Sequence, residues 1–431
     1  MERHMKPDDK FDSIPSALIP YCEMDIEDSR ILIYSGDYSL KNGDELVILT
    51  GDIYYALQYE YHLEFQGIGT SLPSIWQLTE TPTELLIPNG MKGECIITES
   101  KTRNGVNSYH GLIQSLFPEQ KACSIWHWSY VNMQSFYGSF VRHNKGVGSN
   151  RLSFLCKDGT RIIIENLNAE NKDQQSTRIT HRCELTPSDG RLLNHNDAQK
   201  YIKAFTHFIS FVVGKYHSPI LVNGQNIEGF SSFYHRVYYD KSRIGVNSWL
   251  PYPYDRDVES LWPTFEAIWN GEDEDKADIL STAVHWYLEA NIGSGKMEGA
   301  YIMAITGLEM MWNVILNKEE QTAGETLQNL LKKMNYNPSF DAESLIRTRN
   351  QLTHYDSRNR KKYQKITQEQ KLQSLDNALN ILELTILYWL GYQGRYADRI
   401  CESKWRGAST KRVPWALAFE GTPTESTIGK S

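Results

Sequence analysis

The feature that most constrains the fold is a change in the spacing of apolar residues along the chain. Between about residues 30 and 184 they occur in short runs interrupted by Gly, Asn and Asp, such as ILIYSG, ELVILTG, ECIITES and RIIIENL. Short β-branched and aromatic runs between turn residues are typical of strands in a largely antiparallel sheet, sandwich or barrel. Beyond about residue 257 the spacing becomes helical. The sequence therefore predicts an α+β multidomain chain, with a β-rich antiparallel N-terminal region and an all-α helical-bundle C-terminal domain.

This pattern divides the chain into four predicted parts. Residues 1–250 form the β-rich region, which we expect to act as a sensor or recognition module, with a packed helix near 194–216. The two prolines of PYPYDRD, residues 251–257, favour an extended connector. Residues 258–400 form a compact bundle, because five helical segments are joined there by short loops. Residues 401–431 are a basic and then flexible tail. The five segments are 277–290, 297–316, 323–334, 341–353 and 368–392.

Composition limits the function classes. The net charge of −8 argues against a protein that coats nucleic acid through a wholly basic surface. The charged N-terminal stretch and the absence of an apolar run of about 20 residues predict a cytoplasmic chain with no membrane partner. The six cysteines are far apart, and no CxxC, HExxH, P-loop or GxSxG pattern occurs, so we expect neither a metal nor another cofactor.

A basic cluster stands out in this acidic chain at residues 345–362, LIRTRNQLTHYDSRNRKK, which holds one histidine and six Lys and Arg side chains. With about 100° per helical residue, Arg349 falls within the apolar face that Leu345 defines. Arg347 and His354 fall on the opposite face. A guanidinium on an apolar face needs a fixed anion, or the face lines a cleft that phosphate enters.

The anion is predicted to come from the helix at 297–316. This helix is apolar nearly all round, and its polar residues Thr306, Glu309 and Asn313 are spaced by three and four to form one stripe. We therefore expect Glu309 to face Arg349 or to line a wet crevice.

The two residue types suit RNA cleavage. A histidine can exchange a proton near neutral pH, and a guanidinium stays charged and presents a fork of donors that fits phosphate oxygens. Together His354 and Arg349 could activate a 2′-hydroxyl or protonate the leaving 5′-oxygen while stabilising charge on phosphorus. Such a scheme requires no metal. We expect Lys361 and Lys362, together with Arg347, to contact RNA phosphates.

The segment Arg349-Asn350-Gln351-Leu352-Thr353-His354 resembles the R-x(4–6)-H motif of HEPN-superfamily ribonucleases, in the form with a polar residue directly after the arginine. The segments AVHWYLEAN and AYIMAITGLEMMW, and a β-rich region before the bundle, are similar to the ApeA-like HEPN group.

This resemblance implies a metal-independent endoribonuclease of abortive anti-phage defence, with RNA, tRNA included, as its substrate. It implies a homodimer or higher homo-oligomer in which two motifs converge on one cleft, and a phage-derived trigger sensed by the N-terminal region. It makes Arg349 and His354 the catalytic pair and Asn350 an auxiliary, and Glu309 fits the polar position opposite the motif.

Three alternatives stay open. Arg347 with His354 also gives an allowed spacing, R-x6-H, and these two share a face of an ideal helix. The chain could be a non-catalytic RNA- or protein-binding dimer whose β-rich half recognises a protein or glycan through aromatic residues such as Trp126 and Trp128, although alternation on one strand face favours core positions for both tryptophans. A hydrolase with a site assembled in the β-rich half is the third.

Overall fold

The structure is a computed structural model, and it describes residues 14–18, 30–57, 62–69, 83–88, 90–117, 122–143, 146–167, 178–226, 229–236, 246–293, 296–316, 322–353, 367–401 and 407–416. By internal contacts the chain divides into two compact units. The first comprises residues 1–245 with Glu266–Glu272, and the second comprises Val246–Phe265 with Asp273–Ser431. The predicted α+β architecture is confirmed, because antiparallel strands fill the first unit and helices dominate the second.

Six described strands of the first unit close into an antiparallel barrel. Strand β3 pairs with both β2 and β6, and β1, β4 and β5 complete the circuit. The inward side chains form one core, and glycines make room within it: a Cβ at Gly67 would lie 2.4 Å from the hydroxyl oxygen of Tyr38. The strands are β1 Arg30–Asn42, β2 Glu45–Ala56, β3 His62–Gly69, β4 Thr83–Leu86, β5 Lys92–Arg103 and β6 Val106–Phe117.

A second part of the same sheet continues from β6 through its pairing with β13. Its strands run in the order β13-β12-β7-β11-β10-β9-β8, and each named pair is antiparallel. They are β7 Ile125–Val131, β8 Ser139–His143, β9 Gly146–Leu155, β10 Arg161–Asn166, β11 Ile179–Thr186, β12 Ile220–Asn226 and β13 Gly229–Arg236.

Helix α1, His195–Val213, packs on this second part of the sheet. The side chain of Asn194 accepts a hydrogen bond from the Asp197 N–H at the helix start, and Gly214 ends the helix with a φ of 75°. Phe205 contacts Trp128 edge-to-face at a ring separation of 6.0 Å. Trp126 and Trp128 are both buried, so they are core residues rather than a recognition surface.

The second unit is a helical bundle. Thr322 forms a complete capping box with Glu325, and Thr367 forms another with Gln370. These capping boxes explain why helices begin at residues 323 and 368. The helices are α2 Trp262–Trp269, whose second half belongs to the first unit, α3 Glu274–Asn291, α4 Lys296–Leu316, α5 Ala323–Lys333, α6 Glu343–Thr353 and α7 Gln368–Trp389.

Helix α4 lies at the centre of the bundle, in contact with α3, α5, α6 and α7. Among the described helices it is the one long and apolar enough to cross a membrane by length and composition, a test that core helices of soluble proteins also pass. Its packing against four helices accounts for that apolar sequence.

The residues on either side of the bundle are structured where they are described. The predicted extended connector, residues 251–257, forms a turn and enters a 3-10 helix at Asp255–Ser260. Within the predicted tail, the strand β15 at Thr410–Arg412 pairs with β14 at Arg395–Ala397. The five described cysteines are free thiols, and four of them are buried.

Candidate active site

Helix α6 carries the predicted motif and is anchored to α4. Leu345 is fully buried, and its backbone carbonyl accepts a hydrogen bond of 2.7 Å from the hydroxyl of Tyr301. At the start of the helix the Asp341 side chain accepts from the Glu343 N–H at 3.0 Å, which satisfies one of the first backbone donors. These contacts set the rotation of α6 and therefore the direction of its side chains.

Arg349 meets the anion that the sequence predicts. Its Nη2 lies 3.2 Å from Oε1 and 3.3 Å from Oε2 of Glu309, and its Nη1 donates to Oδ1 of Asn350 at 3.2 Å. The exposed fractions of the Arg349 and Glu309 side chains are 32% and 27%, so the pair is half-buried and reachable from solvent. The structure thus brings together three of the predicted site residues.

Arg347 lies in a different environment. Its Nη2 contacts Asp341, its Nη1 lies 3.9 Å from Glu343, and 59% of its side chain is exposed. It shares no contact with Glu309 among these ion pairs, which favours Arg349 over Arg347 as the arginine of the motif. His354, Lys361 and Lys362 lie outside the described residues; His354 follows Thr353, the last residue of α6, directly.

The other two members of the polar stripe on α4 have less prominent places. The Thr306 hydroxyl donates to the backbone carbonyl of Ile302 at 2.8 Å, and Asn313 is exposed. Of the stripe, therefore, Glu309 is the member that contacts the motif.

A second, deeply buried charge pair in the same unit was not predicted. Glu383 of α7 accepts a hydrogen bond of 2.8 Å from the Tyr287 hydroxyl and one of 2.5 Å from Nη2 of Arg399. Burial and the neighbouring carboxylate hold the pKa of Tyr287 well above its usual value. The signal was present in the sequence, since Glu383 is the one carboxylate in the apolar segment NILELTILYWL.

This second pair is structural. The exposed fractions of the Arg399 and Glu383 side chains are 4% and 0%, so a substrate phosphate cannot reach this guanidinium without opening the bundle. Among the described residues, no group of three or more His, Cys, Asp or Glu side chains is arranged to hold a metal ion.

Comparison with known protein families gives matches in both halves of the chain. Residues 119–234 match the family model of the YopA central domain, and residues 273–336 and 322–411 match that of the YopA C-terminal domain. A search of curated proteins and a search of solved structures each found no match. Neither family description names a HEPN ribonuclease. The chain is thus similar to the YopA central domain over residues 119–234, which hold β7 to β12, α1 and most of β13. It is similar to the YopA C-terminal domain over residues 273–411, which hold α3 to α7 and β14.

Proposed function

We propose that this chain is a metal-independent endoribonuclease of the HEPN type, in which Arg349 stabilises the reacting phosphate and His354 transfers protons. The observation that carries the proposal is the half-buried guanidinium of Arg349, held by Glu309 and Asn350. Arg349 lies five residues before His354 in the sequence, on a helix anchored to the centre of the bundle.

The exposure of the Arg349–Glu309 pair suits exchange of one anion for another. Ion pairs that are this accessible to solvent contribute about 0–1 kcal/mol to stability. A phosphate can therefore replace the Glu309 carboxylate, or share the Arg349 guanidinium with it, at little cost in free energy. The two parallel donors of a guanidinium match two oxygens of a phosphate, so Arg349 suits bidentate contact with the substrate. Glu309 acts here as a positioning residue that keeps the Arg349 side chain extended toward the substrate phosphate.

The reaction that these residue types support is transesterification within RNA. A basic imidazole removes the proton of the ribose 2′-hydroxyl, whose oxygen attacks the adjacent phosphorus. The bond from phosphorus to the 5′-oxygen breaks, and an imidazolium supplies the proton to that leaving oxygen. The products are a 2′,3′-cyclic phosphate and a 5′-hydroxyl, while the Arg349 guanidinium stabilises charge on the phosphoryl oxygens.

The surroundings of the pair support a homodimer. Ile302, Met303 and Met310 of α4 and Ile346 of α6 are only partly buried in the single chain. Partly exposed apolar side chains around a polar pair are typical of subunit interfaces. In a two-fold dimer the same face meets its own copy, so two motifs would approach each other. A larger homo-oligomer would reuse that face.

The biological setting follows from the HEPN resemblance of the motif and its neighbouring segments. We assign the chain to abortive-infection anti-phage defence in the cytoplasm, with RNA, tRNA included, as substrate. The first unit would then sense a phage-derived trigger. Lys361 and Lys362 would hold the RNA backbone, which makes cleavage strongly dependent on salt.

The test is RNA cleavage by the full-length protein in excess EDTA. Labelled total tRNA and a labelled single-stranded RNA are incubated with the wild type and with His354→Ala, Arg349→Ala and Arg347→Ala, alone and with phage lysate as the source of a trigger. We expect cleavage that leaves a 2′,3′-cyclic phosphate. The His354 and Arg349 variants should lose at least about a hundredfold in rate, within the range for general acid–base and charge-stabilising groups.

Arg347→Ala is the matched control, because it removes the same charge from the same helix two residues away. It should retain cleavage to within a few-fold, because the loss of one phosphate contact away from the reacting phosphate weakens RNA binding only modestly. Loss of activity in the Arg347 variant alone would move the motif to Arg347. RNA that stays intact under all conditions, or cleavage that survives His354→Ala, would refute the proposed chemistry.

A further inference from the structure

The first unit contains a cavity of about 550 Å³ far along the chain from the motif of α6. Its walls come from the β9–β10 turn, the loop before α1, the first turns of α1 and residues 266–271, all of which belong to the first unit. Cavities of roughly 300–1,000 Å³ are the usual size for small-molecule sites. Six charged side chains line it: Lys157, Asp158, Arg191, Asp197, Lys200 and Glu266.

One wall of the cavity is a fixed polar network centred on Asp158. Its carboxylate accepts from the Tyr201 hydroxyl at 2.6 Å and the Thr160 N–H at 2.9 Å, and it pairs with Arg191. Burial alone would raise the pKa of the Asp158 carboxyl, but these hydrogen bonds lower it to about 2. Arg191 also donates to the Thr160 hydroxyl at 2.9 Å. The wall is therefore preorganised, which reduces the entropy cost of binding.

The segment 266–271 contributes a buried carboxylate to the lining. Glu266 is 8% exposed, and its Oε1 accepts from the Asn270 side chain at 3.2 Å. The segment that holds it packs on α1, where Trp269 stacks on His207 at a ring separation of 4.4 Å. Buried carboxylates need donors, and a ligand hydroxyl supplies one.

The charges of the lining indicate the class of ligand. Three cations and three carboxylates line the cavity, so their formal charges sum to zero. Arg191 is paired with Asp158, and Lys200 with Asp197 at 3.2 Å. A phosphate would meet three carboxylates, and a polyamine would meet three cations. A hydroxyl both donates and accepts, so it satisfies either kind of side chain.

We propose that this cavity binds a neutral mono- or disaccharide. Its hydroxyls would bond to Glu266, Lys200 and Arg191, and the apolar face of the ring would lie on Leu193 and Ala267, which also line the cavity. The site stands independently of the ribonuclease proposal, because it uses the first unit alone.

The experiment is titration of the full-length protein, by calorimetry and saturation-transfer NMR. The probes are glucose, galactose, mannose, N-acetylglucosamine, maltose and lactose, with glucose 6-phosphate and glucosamine as charged comparators. We expect at least one neutral sugar to bind more tightly than both comparators. Glu266→Gln should weaken that sugar about tenfold, since it loses a charged acceptor. Ala267→Phe, which fills the cavity, should abolish binding.

Glu272→Gln is the matched control, because this exposed carboxylate lies in the same segment and does not line the cavity. It should bind as the wild type does. The variants are compared only where their circular dichroism matches the wild type, and if Ala267→Phe fails to fold, Glu266→Gln decides. Absence of binding by every neutral sugar, tighter binding of a charged comparator, or wild-type affinity in Glu266→Gln would overturn the assignment.

Discussion

Buried histidines make the first unit sensitive to acid. His181 of β11 is fully buried, and burial lowers its pKa to about 3. His207 of α1 is stacked on Trp269, and burial, with Lys203 nearby, lowers its pKa to about 4. His217, beside Tyr130 at a ring separation of 6.0 Å, is shifted in the same direction by burial. His181 and His207 are therefore neutral in the folded protein at pH 5.

The direction of the pH effect follows from proton binding. In the unfolded chain these side chains titrate near pH 6.5, so below that pH the unfolded state binds more protons than the folded state. The free energy of unfolding therefore falls as pH drops from about 7 toward the folded pKa values. Between pH 7.5 and pH 5, His181 and His207 each lower the free energy of unfolding by about 2 kcal/mol. The reason is that pH 5 lies about 1.5 units below the unfolded pKa of about 6.5, and each unit is worth about 1.4 kcal/mol. Together they remove about 4 kcal/mol, a large share of typical domain stability.

The measurement is urea unfolding at pH 5.0, 6.0 and 7.5. A hydrogen-exchange pulse at one fixed pH labels the unfolded fraction, and peptides from β7 and β11 report the first unit. His181→Gln should be less stable than the wild type at pH 7.5, yet should lose about 2 kcal/mol less between pH 7.5 and pH 5. His285 lies in the second unit and provides the control, since His285→Gln should leave the slope of the first unit unchanged. The Asp158 carboxyl does not interfere, since its pKa of about 2 places its titration below this window. An unchanged slope in His181→Gln would refute the reasoning.

Two further predictions concern the second unit. Arg399→Met leaves the buried Glu383 carboxylate without its cation, so it should lower the free energy of urea unfolding by about 3–5 kcal/mol. Adding Glu383→Gln should recover part of that loss, and a loss below about 1 kcal/mol would contradict the buried pairing. Thr322→Ala removes the capping box of α5 and should lower the free energy of unfolding by about 1 kcal/mol in the same assay. Thr326→Ala, one turn later, is the control and should lower it less; equal losses would show that the cap is not the cause.

Local patterns predicted the elements of this fold better than their pairing. The predicted segments 323–334 and 368–392 start where α5 and α7 start, and in the structure Thr322 and Thr367 head capping boxes at those starts. Hydrophobic spacing identified the strands. Closure of the barrel depends on the pairing of Leu63 in β3 with Ile113 in β6, fifty residues apart. Alternation within a strand does not specify a distant partner, since register is set by the assembled core.

The candidate site shows the same division. Helical geometry placed Arg349 on the inner face of α6 and suggested Glu309 as its partner, and the structure has that contact. The pairing of Arg399 with Glu383 was missed because Arg399 lies beyond the end of α7, where helical periodicity no longer applies. Tyr287, the third member of that network, lies in the helical segment predicted at 277–290, 96 residues before Glu383.

The two arginine–carboxylate pairs of the second unit differ in the property that decides function. Arg399 and Glu383 are almost completely buried, and breaking such a pair costs several kcal/mol, so this guanidinium is committed to holding α7 in place. Arg349 and Glu309 remain about one-third and one-quarter exposed, where the pair contributes little to stability. A site that binds and releases a phosphodiester needs a guanidinium whose anion can be exchanged at low cost. Of these two arginines, only Arg349 meets that condition. This physical difference, beyond the spacing to His354, is the reason we propose Arg349 for the catalytic role.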